Sequence, residues 1–150
     1  MAEFEMDFPE NFLYDLLDID SEEICKQALT EAAPIMENAM KDILKQDNHE
    51  LSGELIQSIK ATRPKKSSNG AYIVNVRPTG YSSVNAYRVK RGNGSTRKYK
   101  VSNALKMLWI EYGVNGRQPA RPFLTRAVND AKAATLDKMQ DVYNRMAGVG

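Results

Sequence analysis

Cys25 and His49 are the one thiol and the one imidazole of this sequence. They are the raw material of a Cys-His nucleophile pair, which needs both side chains within hydrogen-bond reach and a third group to orient the imidazole. No residue pattern supplies that third group. Cys25 falls in an apolar helical pattern and reads as a plain core or surface thiol. His49, in KQDNHE, reads as a solvated side chain between two helices. One His and one Cys do not make a zinc-ligand set. The carboxylates of residues 1–54 show no metal-ligand spacing and fit solvated helix faces. From 55 to 110 there is no carboxylate, so a pair for acid–base work cannot come from there. Gly92, Gly94 and Ser95 resemble a piece of a phosphate loop but lack the Gly-Lys-Ser/Thr ending, and read as a hairpin turn. The sequence argues against an enzyme and implies neither metal nor cofactor.

Charge is the stronger signal. The formal net charge is +2, but it is sharply partitioned. Residues 1–54 hold three lysines against fifteen acids, net −12; residues 55–110 hold twelve Lys and Arg and no acid, net +12. Such asymmetry points to an anionic partner, or to attraction between parts of one assembly. Arg88, Lys90, Arg91, Arg97, Lys98 and Lys100 form a basic stripe interleaved with Tyr87 and Tyr99, the pattern phosphate contacts need. A DNA- or RNA-binding accessory protein using 84–101 is therefore one reading. The alternation sends the tyrosines to the other face, where packing against helices is expected.

The elements that position these residues follow from periodicity. Asp20 and Glu23 make a capping box for a long helix over 21–46, with Ile24, Ala28, Ala32, Ile35, Ala39 and Ile43 at helical spacing. Pro34 predicts a bend or break in it. LSGELIQSIK reads as a short helix capped by Ser52. From Ala61 the period becomes two: 71–78, 84–91 and 97–101 read as strands, the last two a hairpin around GNGS with one apolar and one basic face. Ser102 caps NALKMLWIEY, where Leu105, Leu108, Trp109 and Tyr112 fall at helical spacing, although so short a run also fits a strand. A final helix starts near Pro119 and Pro122 and runs to the end. This is α+β: an antiparallel sheet of about three to four strands with a long N-terminal and a C-terminal helix on one face. Residues 21–150 read as one such domain, preceded by an acidic arm, 1–20, whose aromatics either dock on something else or sit in a short helix over 12–17 packed on the domain itself. No apolar run approaches the ~18 residues that span a membrane. The acidic N-terminus is unlike a signal or transit peptide, and a lone cysteine excludes an internal disulfide. The cytosol, or a particle assembled there, is the expected compartment.

The densest punctuation is EYGVNGRQPARPFLTRAV, 111–128. Two glycines permit positive φ in a tight loop, two prolines stiffen the entry to a helix, and Glu111 can pair with Arg117 or Arg121. Phe123 and Leu124 begin a buried stripe. Glu111, Tyr112 and Gly113, then Pro119 through Arg121, Pro122, Phe123 and Leu124, resemble a signature of the tail-completion or head–tail joining (neck) proteins of long-tailed bacteriophages. Ser52, Gly53, Leu55, Ser58 and Ile59 resemble a second, weaker motif of that family. The resemblance covers roughly 21–146 and leaves out the acidic arm and the basic hairpin. It implies a non-enzymatic structural protein with a neck, tail-completion or tail-terminator role, in a homo-oligomeric ring. Its partners would be the head adaptor or stopper and the tail tube, with DNA passing the channel, and no membrane. Its place would be the virion, assembled in the host cytoplasm. The Gly- and Asn-rich loops 92–95 and 113–118 are expected to order only against such partners.

Overall fold

The computed structural model describes residues 21–47 and 53–148. Asp20, Ser52, His49 and the arm 1–20 lie outside the described residues.

Helix α1 (Ser21–Gln46) is followed by the single-turn α2 (Glu54–Ser58), then six strands, then α3 (Asn103–Tyr112) and α4 (Leu124–Ala147). The strands are β1 (Ile59–Ala61), β2 (Lys65–Lys66), β3 (Tyr72–Ile73), β4 (Val76–Pro78), β5 (Tyr81–Lys90) and β6 (Thr96–Ser102). The class is α+β. The strands pair as three antiparallel two-stranded ladders, β1–β4, β2–β3 and β5–β6.

The first two ladders share the same two chain segments, an irregular ribbon interrupted near Pro64, which has no N–H to give. Thr62 bridges the gap: its N–H donates to Asn75 O at 2.8 Å and its Oγ1 accepts Asn75 N–H at 3.0 Å. The segment 71–78, read as one strand, is thus split in two.

Pro34 lies inside α1, and the helix runs unbroken past it. The two long helices form the largest interface. They run antiparallel, because Glu31 near the start of α1 pairs with Lys138 (3.2 Å) and Arg145 late in α4, while Asp47, just past α1, pairs with Arg126 at the start of α4. Small residues at the seam, Ala28 and Ala32 on one side and Ala127 and Ala131 on the other, are buried. The main core gathers at the C-terminal end of α1, where Met40, Ile43 and Leu44 meet Leu55, Ile59 and Ile110 around Phe123 and Ala127.

In α3 the spaced apolar residues are only partly covered, Leu105 and Trp109 being half-buried. Asn103, Ile110 and Glu111 are buried, while Leu108 and Tyr112 are exposed. Ser102 does cap this helix, its Oγ accepting Leu105 N–H at 3.1 Å. The cap of α2 is Gly53 in the left-handed region, with no side-chain hydrogen bond.

Candidate functional site

The 111–124 joint is built outward from one carboxyl. α4 begins at Leu124, and its N-cap is Phe123, whose phenyl cannot accept a hydrogen bond. Glu111 Oε2, reaching across from α3, accepts the backbone N–H of Phe123 at 2.9 Å and of Leu124 at 3.2 Å. Orphan donors at a helix start need such an acceptor, and negative charge there suits the helix dipole. Glu111 is 8% exposed. It therefore caps the next helix instead of pairing with Arg117 or Arg121. Arg121 ties the two helices through its backbone, N–H to Ile110 O at 2.8 Å. Pro119 and Pro122 precede α4 rather than open it; Pro122 O accepts Arg126 Nε at 3.2 Å.

Gly113 is the C-cap of α3, with φ 76° and ψ 178°, a region that essentially only glycine occupies. It is also crowded: an added Cβ would lie 2.6 Å from Ala120 N and 2.8 Å from Gln118 O. The loop beyond is a small closed turn. Val114 N–H donates to Gln118 O (2.8 Å) and Gln118 N–H to Val114 O (2.9 Å). Phe123 is fully buried, Leu124 is half-buried against the core, and Tyr112 is 73% exposed. The joint thus locks Glu111, Gly113 and Phe123 inward and leaves Tyr112, Arg117, Pro119 and Arg121 on the surface. Tyr112, Asn115, Arg117 and Pro119 line a shallow, open groove there.

The second feature is the β5–β6 ribbon. Its register pairs Arg88 with Lys98, Tyr87 with Tyr99, and Val89 with Arg97. Strand alternation puts Arg88, Lys90, Lys98 and Lys100 on one face. Arg97 leaves the expected basic stripe: it shares the other face with Tyr99 and sits 5.4 Å from that ring. Arg91 stands at the mouth of the turn, its N–H on Ser95 O at 2.8 Å. The tyrosines meet each other rather than standing apart on a helix-packed face. Tyr87 and Tyr99 stack on each other at 5.5 Å, and Tyr87 and Val89 remain exposed. None of the six cations has an ion-pair partner among the described residues. The turn itself is tied by Asn93 Oδ1, which accepts Ser95 N–H (3.1 Å) and Oγ (2.6 Å). Loops 92–95 and 114–118 thus each carry hydrogen bonds of their own.

Glutamates that looked like solvated helix faces hold the ribbons. Glu54 Oε1 accepts Ser83 N–H at 2.8 Å and its Oε2 accepts Ser82 Oγ at 3.2 Å, pinning the base of β5. The Ser83 N–H is the main reason its pKa falls below the ordinary carboxyl range. Glu37 Oε2 accepts Ala61 N–H at 3.0 Å, tying β1 to α1; Lys41, then that N–H, holds its pKa down. Asn103 completes the ribbon base, donating from Nδ2 to Thr79 O at 2.8 Å. Sequence spacing carries no sign of these contacts, which join residues far apart in the chain. Cys25 is exposed on α1, and partial desolvation of its sulfur pushes the thiol pKa up. Among the described residues no cluster of three His, Cys, Asp or Glu could hold a metal ion, and no helix is long and apolar enough to cross a membrane.

No protein-family model, curated protein or solved structure matches this chain.

Proposed function

We propose that this chain is a non-enzymatic structural protein of a tailed-phage virion, a ring subunit that joins the DNA-filled head to the tail. The observation that carries the reading is the 111–124 joint. Glu111 and Gly113 set the angle between α3 and α4, and Phe123 anchors that corner in the core. On this rigid base sit Tyr112 and Leu108, exposed apolar side chains of the kind found where proteins meet. A protein fitted between two rings needs surfaces held at fixed angles. The carboxylates support a structural role too: Glu37, Glu54 and Glu111 are occupied in holding backbone. Homo-oligomeric assembly, head-adaptor and tail-tube partners and a virion location belong to the same proposal.

The test is assembly. Infection by a phage lacking this chain should accumulate DNA-filled heads and finished tails that do not join, and adding purified protein to that extract should join them. Complete, infectious particles in its absence would end the proposal.

A second reading, nucleic-acid binding, is favoured by the four cations on one ribbon face. Duplex binding whose affinity falls steeply with salt, and is lost in Lys98→Glu and Lys100→Glu, would support it.

A further inference from the structure

Among the described residues both long edges of the β5–β6 ribbon are open, since the ladder has two strands and no third. A lone two-stranded ribbon is marginal in water, and an open edge is a template for another strand. The two faces differ in chemistry. One carries Arg88, Lys90, Lys98 and Lys100; the other carries Tyr87, Val89, Tyr99 and Arg97. Most of these side chains are exposed.

One segment of the chain has the complementary pattern. Residues 3–8 read Glu-Phe-Glu-Met-Asp-Phe, with acids at 3, 5 and 7 and apolar side chains at 4, 6 and 8. Strict alternation is the signature of a strand with two unlike faces. Its charge is also opposite to that of the ribbon. Glu22, Glu31, Glu37, Asp47 and Glu54 each pair with a lysine or arginine of the helical body. Residues 1–20 hold seven acids and no Lys or Arg, and the ribbon holds six cations without acidic partners among the described residues.

We infer that residues 3–8 of one copy add as a third strand to an edge of the β5–β6 ribbon of a second copy. Main-chain hydrogen bonds supply the affinity and alternate side chains the specificity. Glu3, Glu5 and Asp7 then share a face with the four cations, and Phe4, Met6 and Phe8 extend the Tyr87–Tyr99 stack. A slip of one residue would set the acids against the tyrosines, so the register is specified.

Reach favours a second copy over the chain's own ribbon. The first turn of α1 lies beside β2 and β3, where Lys66 is 3.9 Å from Glu22 and Lys26 lies over the Tyr72 ring. The ribbon base is pinned by Glu54 on α2, and Leu55 of that helix packs with Ile43 and Leu44 at the far end of α1. At the helical rise those ends are about 33 Å apart. Residues 9–20, fully stretched, span about 40 Å at most, so a chain's own strand reaches its ribbon only with those residues almost fully extended, at a cost in chain entropy. A neighbour's arm has no such limit. The inference needs two copies to meet and does not depend on the head–tail reading.

Carbodiimide cross-linking of the full chain tests it. Equal amounts of copies labelled with heavy nitrogen and unlabelled copies are mixed across a concentration series, and the linked peptides are read by mass spectrometry. The expected products join Glu3, Glu5 or Asp7 to Lys90, Lys98 or Lys100, with mixed-label pairs among them. Glu5→Lys should reduce these links, and mixing it with Lys98→Glu copies should restore inter-copy association. The inference fails if the links carry one label only, which would mean the chain's own arm. It also fails if the arm links to other lysines or to none. Protection of the ribbon lysines by duplex DNA, with no arm links in its absence, would assign the surface to nucleic acid.

Discussion

Gly113 answers to two constraints at once, and either alone would exclude another residue. Its φ and ψ cost a residue with a Cβ about 1–3 kcal/mol. The same Cβ would press on backbone atoms of Gln118 and Ala120, which cannot swing aside as a flexible side chain can. Gly113→Ala should therefore lower unfolding stability by more than the strain alone, and chemical denaturation will read it; a wild-type midpoint would mean that the loop relaxes freely. Glu111→Ala removes the acceptor of the Phe123 and Leu124 N–H groups and should cost about 1–3 kcal/mol. Glu111→Gln keeps an oxygen there and should lose less; equal losses would show that the charge, rather than the acceptor, matters. Phe123→Ala, at a fully buried position, should cost about 3–5 kcal/mol and leave little soluble protein. The importance of this corner was legible in the sequence, since Gly, Pro and Phe crowd into it. The task of Glu111 was not. A carboxyl beside two arginines suggests ion pairing, and only the fold brings a helix start up against it.

The long helices were legible because their apolar spacing persists for many turns. The ribbon was legible from alternation around a Gly-Asn-Gly turn. The buried face of α3 was not legible, because both of its sides carry apolar residues. The side that is buried includes Asn103 and Glu111, polar groups kept inside by hydrogen bonds that hydropathy does not register. The α1–α4 pairing carries a pH signature. Arg145 foremost, then Gln27, hold Glu31 down to about 2 from an ordinary 4.5. A depressed folded pKa means that the unfolded chain takes up the proton first, so this contribution is complete above pH 4.5 and is lost as pH falls toward 2. The melting temperature of the wild type should drop more steeply across that window than that of Glu31→Gln. Parallel pH profiles would remove Glu31 from the account.

Across the whole molecule the charge partition takes on a physical meaning. The acids of the helical body are matched locally by its own lysines and arginines. The cations of the ribbon have no acidic partner among the described residues, and the arm adds seven acids by sequence. Contacts made by such exposed charges weaken with salt as the Debye length shrinks to about 10 Å at 0.1 M. Sedimentation should therefore show self-association at low ionic strength that recedes at high ionic strength. A stable, salt-indifferent ring in dilute solution would show that apolar surfaces such as Leu108 and Tyr112 govern assembly instead. The partition was plain in the sequence. Its geometry was not, because no periodicity reveals that a hairpin stands clear of the helices.

The anchoring of that hairpin has a mechanical consequence. Between Tyr81 and Ala86 the register shifts, five steps along β5 against two along β6, just above the point where Glu54 grips Ser82 and Ser83. The ribbon is a cantilever about 30 Å long, given the usual rise per strand residue, clamped chiefly at its root. A tilt of about 10° at the clamp moves the tip about 5 Å, roughly the spacing between neighbouring strands. The few hydrogen bonds that Glu54 and Asn103 make at the root thus bear on where the far end points to within one strand's width.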